Sequence, residues 1–125
     1  LVDAHQRVPD AALALADGHY LPYPTHAFDL VVACEVLEHV RSPKQVLGEI
    51  HRVGRKYFIA SVPREPIWRI LNMARGQYLN KLGNTPGHIN HWSSSSFLHL
   101  LEDHFKVVEI RHPLPWTMVL CVTNS

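Results

Sequence analysis

Within one short stretch, Glu35, Glu38 and His39 offer two carboxylates and an imidazole at spacings i, i+3 and i+4. On a helical turn those positions share a face, so the three side chains could converge on one divalent cation. Mg²⁺ would favour the carboxylates, and a site containing an imidazole also suits Mn²⁺, Fe²⁺ or Zn²⁺. A later His88 or His91, in the run His88-Ile89-Asn90-His91-Trp92-Ser93, could complete the set. Such a cation would bind a substrate hydroxyl, lower its pKa and position the oxyanion for in-line attack. Without a metal, His39, His88 and His91 are candidate general bases, because an imidazole with a pKa near ~6.5 accepts a hydroxyl proton at neutral pH. Plainer readings stand beside these: Glu38 and His39 as braces of a turn, and His91 beside Trp92 as a packed lid residue. A second candidate is Asp17-Gly18. An Asp at a strand end can accept a hydrogen bond from an exocyclic amine while the next backbone N–H meets a ring nitrogen, as an adenine edge requires. Read alone, Asp-Gly is a turn.

These residues need a scaffold. Leu1–Arg7 reads as a helix tail stopped before Pro9, and Ala11–Ala16 as a short apolar strand ended by Asp17-Gly18. A loop with Pro22 and Pro24 leads to Phe28–Cys34, continuous, β-branched and apolar, as strands covered on both faces tend to be. Ser42-Pro43 reads as an N-cap followed by proline at the first helical position. The helix carries Val46, Leu47, Ile50 and Val53 on one face, with Gly54 at its end. Tyr57–Val62 is a further strand ended by Pro63.

Residues 63–92 are too long for an ordinary connection and read as a lid. It holds an amphipathic helix, Pro66–Arg75, with Ile67, Ile70, Leu71 and Ala74 on one side. Arg64, Arg69, Arg75 and Lys81, with Trp68 and Tyr78 interleaved, suit an anionic, partly planar or glycosylated substrate. The ordinary alternative is a solvated helix face. Ser93–Ser96 offers N-caps to a helix through Leu101, and Lys106–Arg111 with Trp116–Thr123 form an antiparallel pair around a short connector. Strands alternating with helices predict one open α/β domain over residues 1–125, with ligands beyond the carboxyl ends of the strands.

Composition narrows the partners. The chain is 46% hydrophobic, enough for a core, and its net charge of +1 selects neither nucleic acid nor an anionic membrane. No apolar run approaches the ~18 residues of a membrane span. Cys34 and Cys121 lie in separate apolar runs and read as buried free thiols of a cytoplasmic protein.

Ala16-Asp17-Gly18, Leu21-Pro22-Tyr23, Phe28-Asp29-Leu30-Val31 and Glu35-Val36-Leu37-Glu38-His39-Val40 follow one another at close spacing. The series resembles the class I S-adenosylmethionine (SAM) methyltransferases, in particular their broad type 11 group. The resemblance implies a truncated Rossmann-like sheet, mostly parallel, with an antiparallel C-terminal pair and a helical lid. It implies methyl transfer from SAM to a small-molecule acceptor, most simply at a hydroxyl oxygen. Asp17 would hold the adenine amino group and Gly18 its ring, with His19 next in the same loop, while Cys34 and Glu35 would border the methionine end. Glu35, Glu38, His39 and His88 match the Mg²⁺ or Mn²⁺ ligands of some O-methyltransferases. The family's first strand and glycine-rich loop would precede Leu1, making this the C-terminal part of the domain. Strand Ala11–Ala16 would then lack its neighbours and should re-pair beside Phe28–Cys34 or with another copy of the chain. That incompleteness carries the rival function, a non-catalytic module that dimerises or binds a partner through exposed sheet edges.

Overall fold

The computed structural model describes residues 2–65, 67–76 and 89–124. Tyr78, Lys81 and His88, and with them much of the lid, lie outside the described residues. The elements run α1 (Val2–Arg7), β1 (Phe28–Cys34), a 3₁₀ turn (Leu37–His39), α2 (Pro43–Val53), β2 (Gly54–Pro63), α3 (Ile67–Ala74), α4 (Ser94–Leu101), β3 (Phe105–Arg111) and β4 (Trp116–Thr123).

Four strands form one sheet in the order β1-β2-β4-β3. β1 and β2 are parallel, and β4 is antiparallel to both β2 and β3. Three strands therefore share one direction and β4 alone opposes them. The short connector between β3 and β4 permits this reversal, whereas β1 and β2 need the α2 crossover. This is the expected α/β architecture.

Helices α2 and α4 cover one face. Val46, Leu47 and Ile50 of α2 and Phe97 and Leu101 of α4 join Ala33, Phe58, Ala60, Val62, Val119 and Cys121 in one core. Phe58 and Phe105 pack with ring centroids 4.9 Å apart. Desolvation pushes the Cys121 thiol up to about 11, so it stays protonated and inert.

Helix α2 runs into β2 without a loop. Gly54 has extended backbone (φ −85°, ψ 140°), and a Cβ there would lie 2.9 Å from the Ile50 carbonyl oxygen and 3.3 Å from Val31 Cγ2. Glycine is required at Gly54 for this close approach.

Several expectations are corrected. Ala11–Ala16 is not a strand: it is irregular, exposed and unpaired. Its alanines and leucines have low strand propensity, and no described strand lies beside it to supply hydrogen bonds. Strand β1 is covered on one face only, leaving Leu30 and Val32 about half exposed, and Cys34 is exposed as well. Among the described side chains of α3, Asn72 is buried, while Ile70 and Met73 face solvent. The Asn72 carboxamide oxygen accepts from Arg75. Among the described residues no helix is long and apolar enough to cross a membrane.

Candidate active site

The loop after Ala16 is pinned to α2 by polar side chains. Asp17 Oδ1 accepts the His19 backbone N–H at 2.9 Å and contacts His19 Nδ1 at 2.7 Å. These hydrogen bonds hold the Asp17 carboxyl below its usual range, the backbone one contributing most. On α2, Glu49 accepts the Leu21 N–H at 2.8 Å, and Arg52 donates to the carbonyls of Leu21 and Tyr23 at 2.9 and 2.7 Å. Arg52 also grips Glu49 in a forked pair at 2.8 and 2.9 Å, which lowers the Glu49 pKa to about 2. Gly18 lies over Val46. Asp17 therefore sits at the edge of a fixed loop with its side chain about half exposed, available to a donor from outside.

Sequence reading missed the Glu49–Arg52 clamp. Its signal was present in the i, i+3 spacing of opposite charges on α2, but nothing in the sequence shows that Arg52 reaches the loop carbonyls.

At the carboxyl end of β1 the chain turns sharply. Glu35 adopts φ 56°, a left-handed conformation uncommon outside glycine. Its N–H still continues the sheet by donating to Ser61 O at 3.0 Å. Glu35 lies outside the 3₁₀ turn that holds Glu38 and His39, and its charge still acts on Glu38. The Glu35 carboxylate instead accepts the Trp116 indole N–H from the start of β4. Among the described residues, no three His, Cys, Asp or Glu side chains are grouped to hold a metal. His88, the fourth expected ligand, lies outside the described residues.

Glu38 is buried, and among the described residues neither carboxylate oxygen has a hydrogen-bond partner. Desolvation pushes its pKa up. His39 Nε2 lies 3.7 Å from Glu38 Oε1, with the imidazole partly exposed. The backbone around them is held by the segment carrying His91: Ile89 and Asn90 donate to Glu38 O at 2.8 and 3.0 Å. The Asn90 carboxamide donates to Leu37 O and Val40 O at 3.1 and 2.6 Å.

That segment continues past the end of β2. Trp92 bridges Arg64, and Glu65 N–H donates to Trp92 O at 2.9 Å. His91 is thereby brought to Glu65, with Nδ1 3.2 Å from the carboxylate Oε1. Neither side chain is widely exposed, at 26% and 13%. The Glu65 carboxylate thus lies against the Nδ1 edge of the His91 imidazole. Glu65 was not recognisable from sequence, since it lies 26 positions before His91. The structure thus brings together Glu38 with His39, Glu65 with His91, and Asp17 with His19. It leaves Cys34 exposed at the strand end beside Glu35.

Residues 1–58 match the family model described as a methyltransferase domain. No curated protein matches the chain in sequence. Among solved structures, a SAM-dependent methyltransferase from Aquifex aeolicus superposes with a TM-score of 0.74 at 12% identity, over 98% of this chain and 61% of that one. Magnesium protoporphyrin IX methyltransferase from Synechocystis PCC 6803, with bound S-adenosylhomocysteine, gives 0.66 at 14% identity over 98% and 57%. A methyltransferase in complex with the Trm112 activator, from Haloferax volcanii, gives 0.69 at 14% identity over 88% and 60%. The chain spans about three fifths of the length of these structures. The match to a methyltransferase-domain model over residues 1–58 and the superpositions agree: the chain has the fold of these SAM-dependent methyltransferases.

Proposed function

We propose that this domain transfers the methyl group of SAM to a hydroxyl oxygen of a small-molecule acceptor, with His91 as the general base. The observation that carries this reading is the Glu65–His91 pair lying past the carboxyl end of β2, where ligands of open α/β sheets bind. His91 Nε2 would take the hydroxyl proton while Glu65 stabilises the resulting imidazolium. Asp17 fits the adenine end: its carboxylate is half exposed, and only Oδ1 is engaged by His19. Cys34 and Glu35 would border the methionine end. SAM, when bound, supplies an electrophilic methyl group. Residues 63–92 would form the lid over the acceptor, with Arg64 and Arg75 favouring an anionic one. The His91→Asn variant should lower the methylation rate roughly 10²- to 10⁴-fold with S-adenosylhomocysteine affinity unchanged. Full activity in that variant would remove His91 from the mechanism.

The metal-assisted form of this reading rests on the buried carboxylate of Glu38 beside His39, with His88 as the further ligand. Calorimetric titration with Mg²⁺ or Mn²⁺ tests it, and equal heats in wild type and His88→Ala would rule it out. A second reading, a module that binds a partner or a second copy, is favoured by the exposed Leu30, Val32 and Tyr57 on the sheet. Mass measured by light scattering across a concentration series distinguishes a dimer from a monomer.

A further inference from the structure

His19 occupies an unusual position between the Asp17 loop and α2. Its imidazole is largely buried, at 12% exposure, against 55% for Asp17. On one side Nδ1 meets Asp17 Oδ1 at 2.7 Å. On the other, Nε2 accepts the backbone N–H of Ser42 at 3.1 Å. Ser42 is the N-cap of α2, yet its own hydroxyl makes no capping hydrogen bond. The imidazole supplies an acceptor at the start of the helix from another part of the chain. Gln45 secures the arrangement by donating to the His19 carbonyl at 3.1 Å.

These contacts dictate a tautomer. A neutral imidazole has one donor and one acceptor nitrogen. Ser42 can only donate, so Nε2 must be the acceptor. The proton therefore sits on Nδ1 and is donated to Asp17.

We propose that His19 is a positioning residue that aims Asp17 at the cofactor and makes cofactor binding weaken on acidification. The inference rests on the reading above in which Asp17 meets the adenine amine. A protonated imidazole carries N–H on both nitrogens, so Nε2 meets the Ser42 N–H as donor against donor and the link to α2 breaks. The added charge faces Asp17, which attracts it. The N-terminal dipole of α2 and the nearby charge of Arg41, which acts on Asp17, oppose it. Glu49 and Arg52, further along α2, are engaged with each other and with the Leu21–Tyr23 part of the loop. In the acidic form Asp17 is paired with an imidazolium and the loop is freed from the helix at its Ser42 end. Both changes weaken Asp17 as an acceptor for an incoming amine.

Two measurements on the intact chain test this. Long-range ¹⁵N–¹H spectra report the His19 tautomer, and amide exchange at Ser42 across the His19 titration reports the link. Calorimetry with S-adenosylhomocysteine at about pH 8 and about pH 5.5, either side of a typical imidazole pKa, reports the cofactor side for wild type, His19→Gln and His19→Ala. A glutamine carboxamide offers one acceptor and one donor, both uncharged, so it can restore the link without its pH sensitivity.

The expected result is an Nδ1–H tautomer and Ser42 protection that falls as His19 protonates. Wild-type affinity should weaken by roughly tenfold on acidification, the scale of one charge-assisted hydrogen bond. His19→Gln should flatten that dependence, and His19→Ala should be weak at both pH values. An Nε2–H tautomer, Ser42 exchange indifferent to His19, or an unchanged pH slope in His19→Gln would each overturn the proposal. Equal affinity in wild type and Asp17→Asn, or no binding at all, would overturn the Asp17 reading itself. In that case the tautomer and Ser42 exchange show whether the His19 link survives it.

Discussion

On one face of the sheet Phe58, Ala60, Val62, Val119 and Cys121 lie under α2 and α4. On the opposite face Leu30, Val32 and Tyr57, which alternate with core residues along β1 and β2, stand about half exposed. The register places Leu30 against Tyr57 and Val32 against Ile59 on that open face, and Val31 against Phe58 and Ala33 against Ala60 on the covered one. Both faces carry apolar side chains, so side-chain composition does not separate them. Cover does. A residue contributes burial energy only where another element removes it from water, and β1 therefore has a stabilising side and a side whose apolar surface the described residues leave half exposed.

The largest test of that contrast is truncation of matched apolar residues. Phe58→Ala, at a site with 0% exposure, should cost roughly 3–5 kcal/mol. Val32→Ala, on the open face at 54% exposure, should stay within about 0.5 kcal/mol. Urea melts of both variants check this, and comparable losses would mean that the second face is packed in solution. A smaller effect is expected where the covering helix enters the sheet. Gly54→Ala forces a Cβ against the Ile50 carbonyl and should cost roughly 1–3 kcal/mol. A neutral result in thermal unfolding would show that the α2–β2 junction can relax.

The smallest effect concerns the outer side of α2. The folded Glu49 pKa of about 2 lies below its ordinary 4.5. Its stabilising contribution is complete above pH 4.5 and is lost as pH falls toward 2. Glu49→Gln should therefore be less stable than wild type at neutral pH and converge with it near pH 2. The difference will be modest because solvent screens the Arg52 pair. Parallel denaturation curves at pH 7 and pH 2.5 would decide it.

The site divides along the same lines as the sheet. Asp17-Gly18 and the Glu35–His39 stretch stand out in sequence because unusual residue types sit at strand ends. Their roles depend on contacts that have no sequence signature. Glu35 takes a left-handed backbone and accepts a bond from Trp116, 81 positions away. His91 acquires its orienting partner because Trp92 bridges Arg64. His19 meets Asp17 on one side and Ser42 on the other.

The amino-acid sequence by itself determined the local elements: α2 from its N-terminal proline and 3.6-residue periodicity, α4 from its serine cap, and the β1, β2, β3 and β4 segments from apolar β-branched runs. Those follow from nearest-neighbour sterics and capping, which a short window contains. The tertiary structure alone decided that Ala11–Ala16 is not a strand, that α3 buries Asn72 and that β1 is covered on one side. It also decided which carboxylate each histidine meets. Pairing, burial and charge contacts depend on what another segment brings within a few ångströms, and spacing along a single chain does not specify that distance.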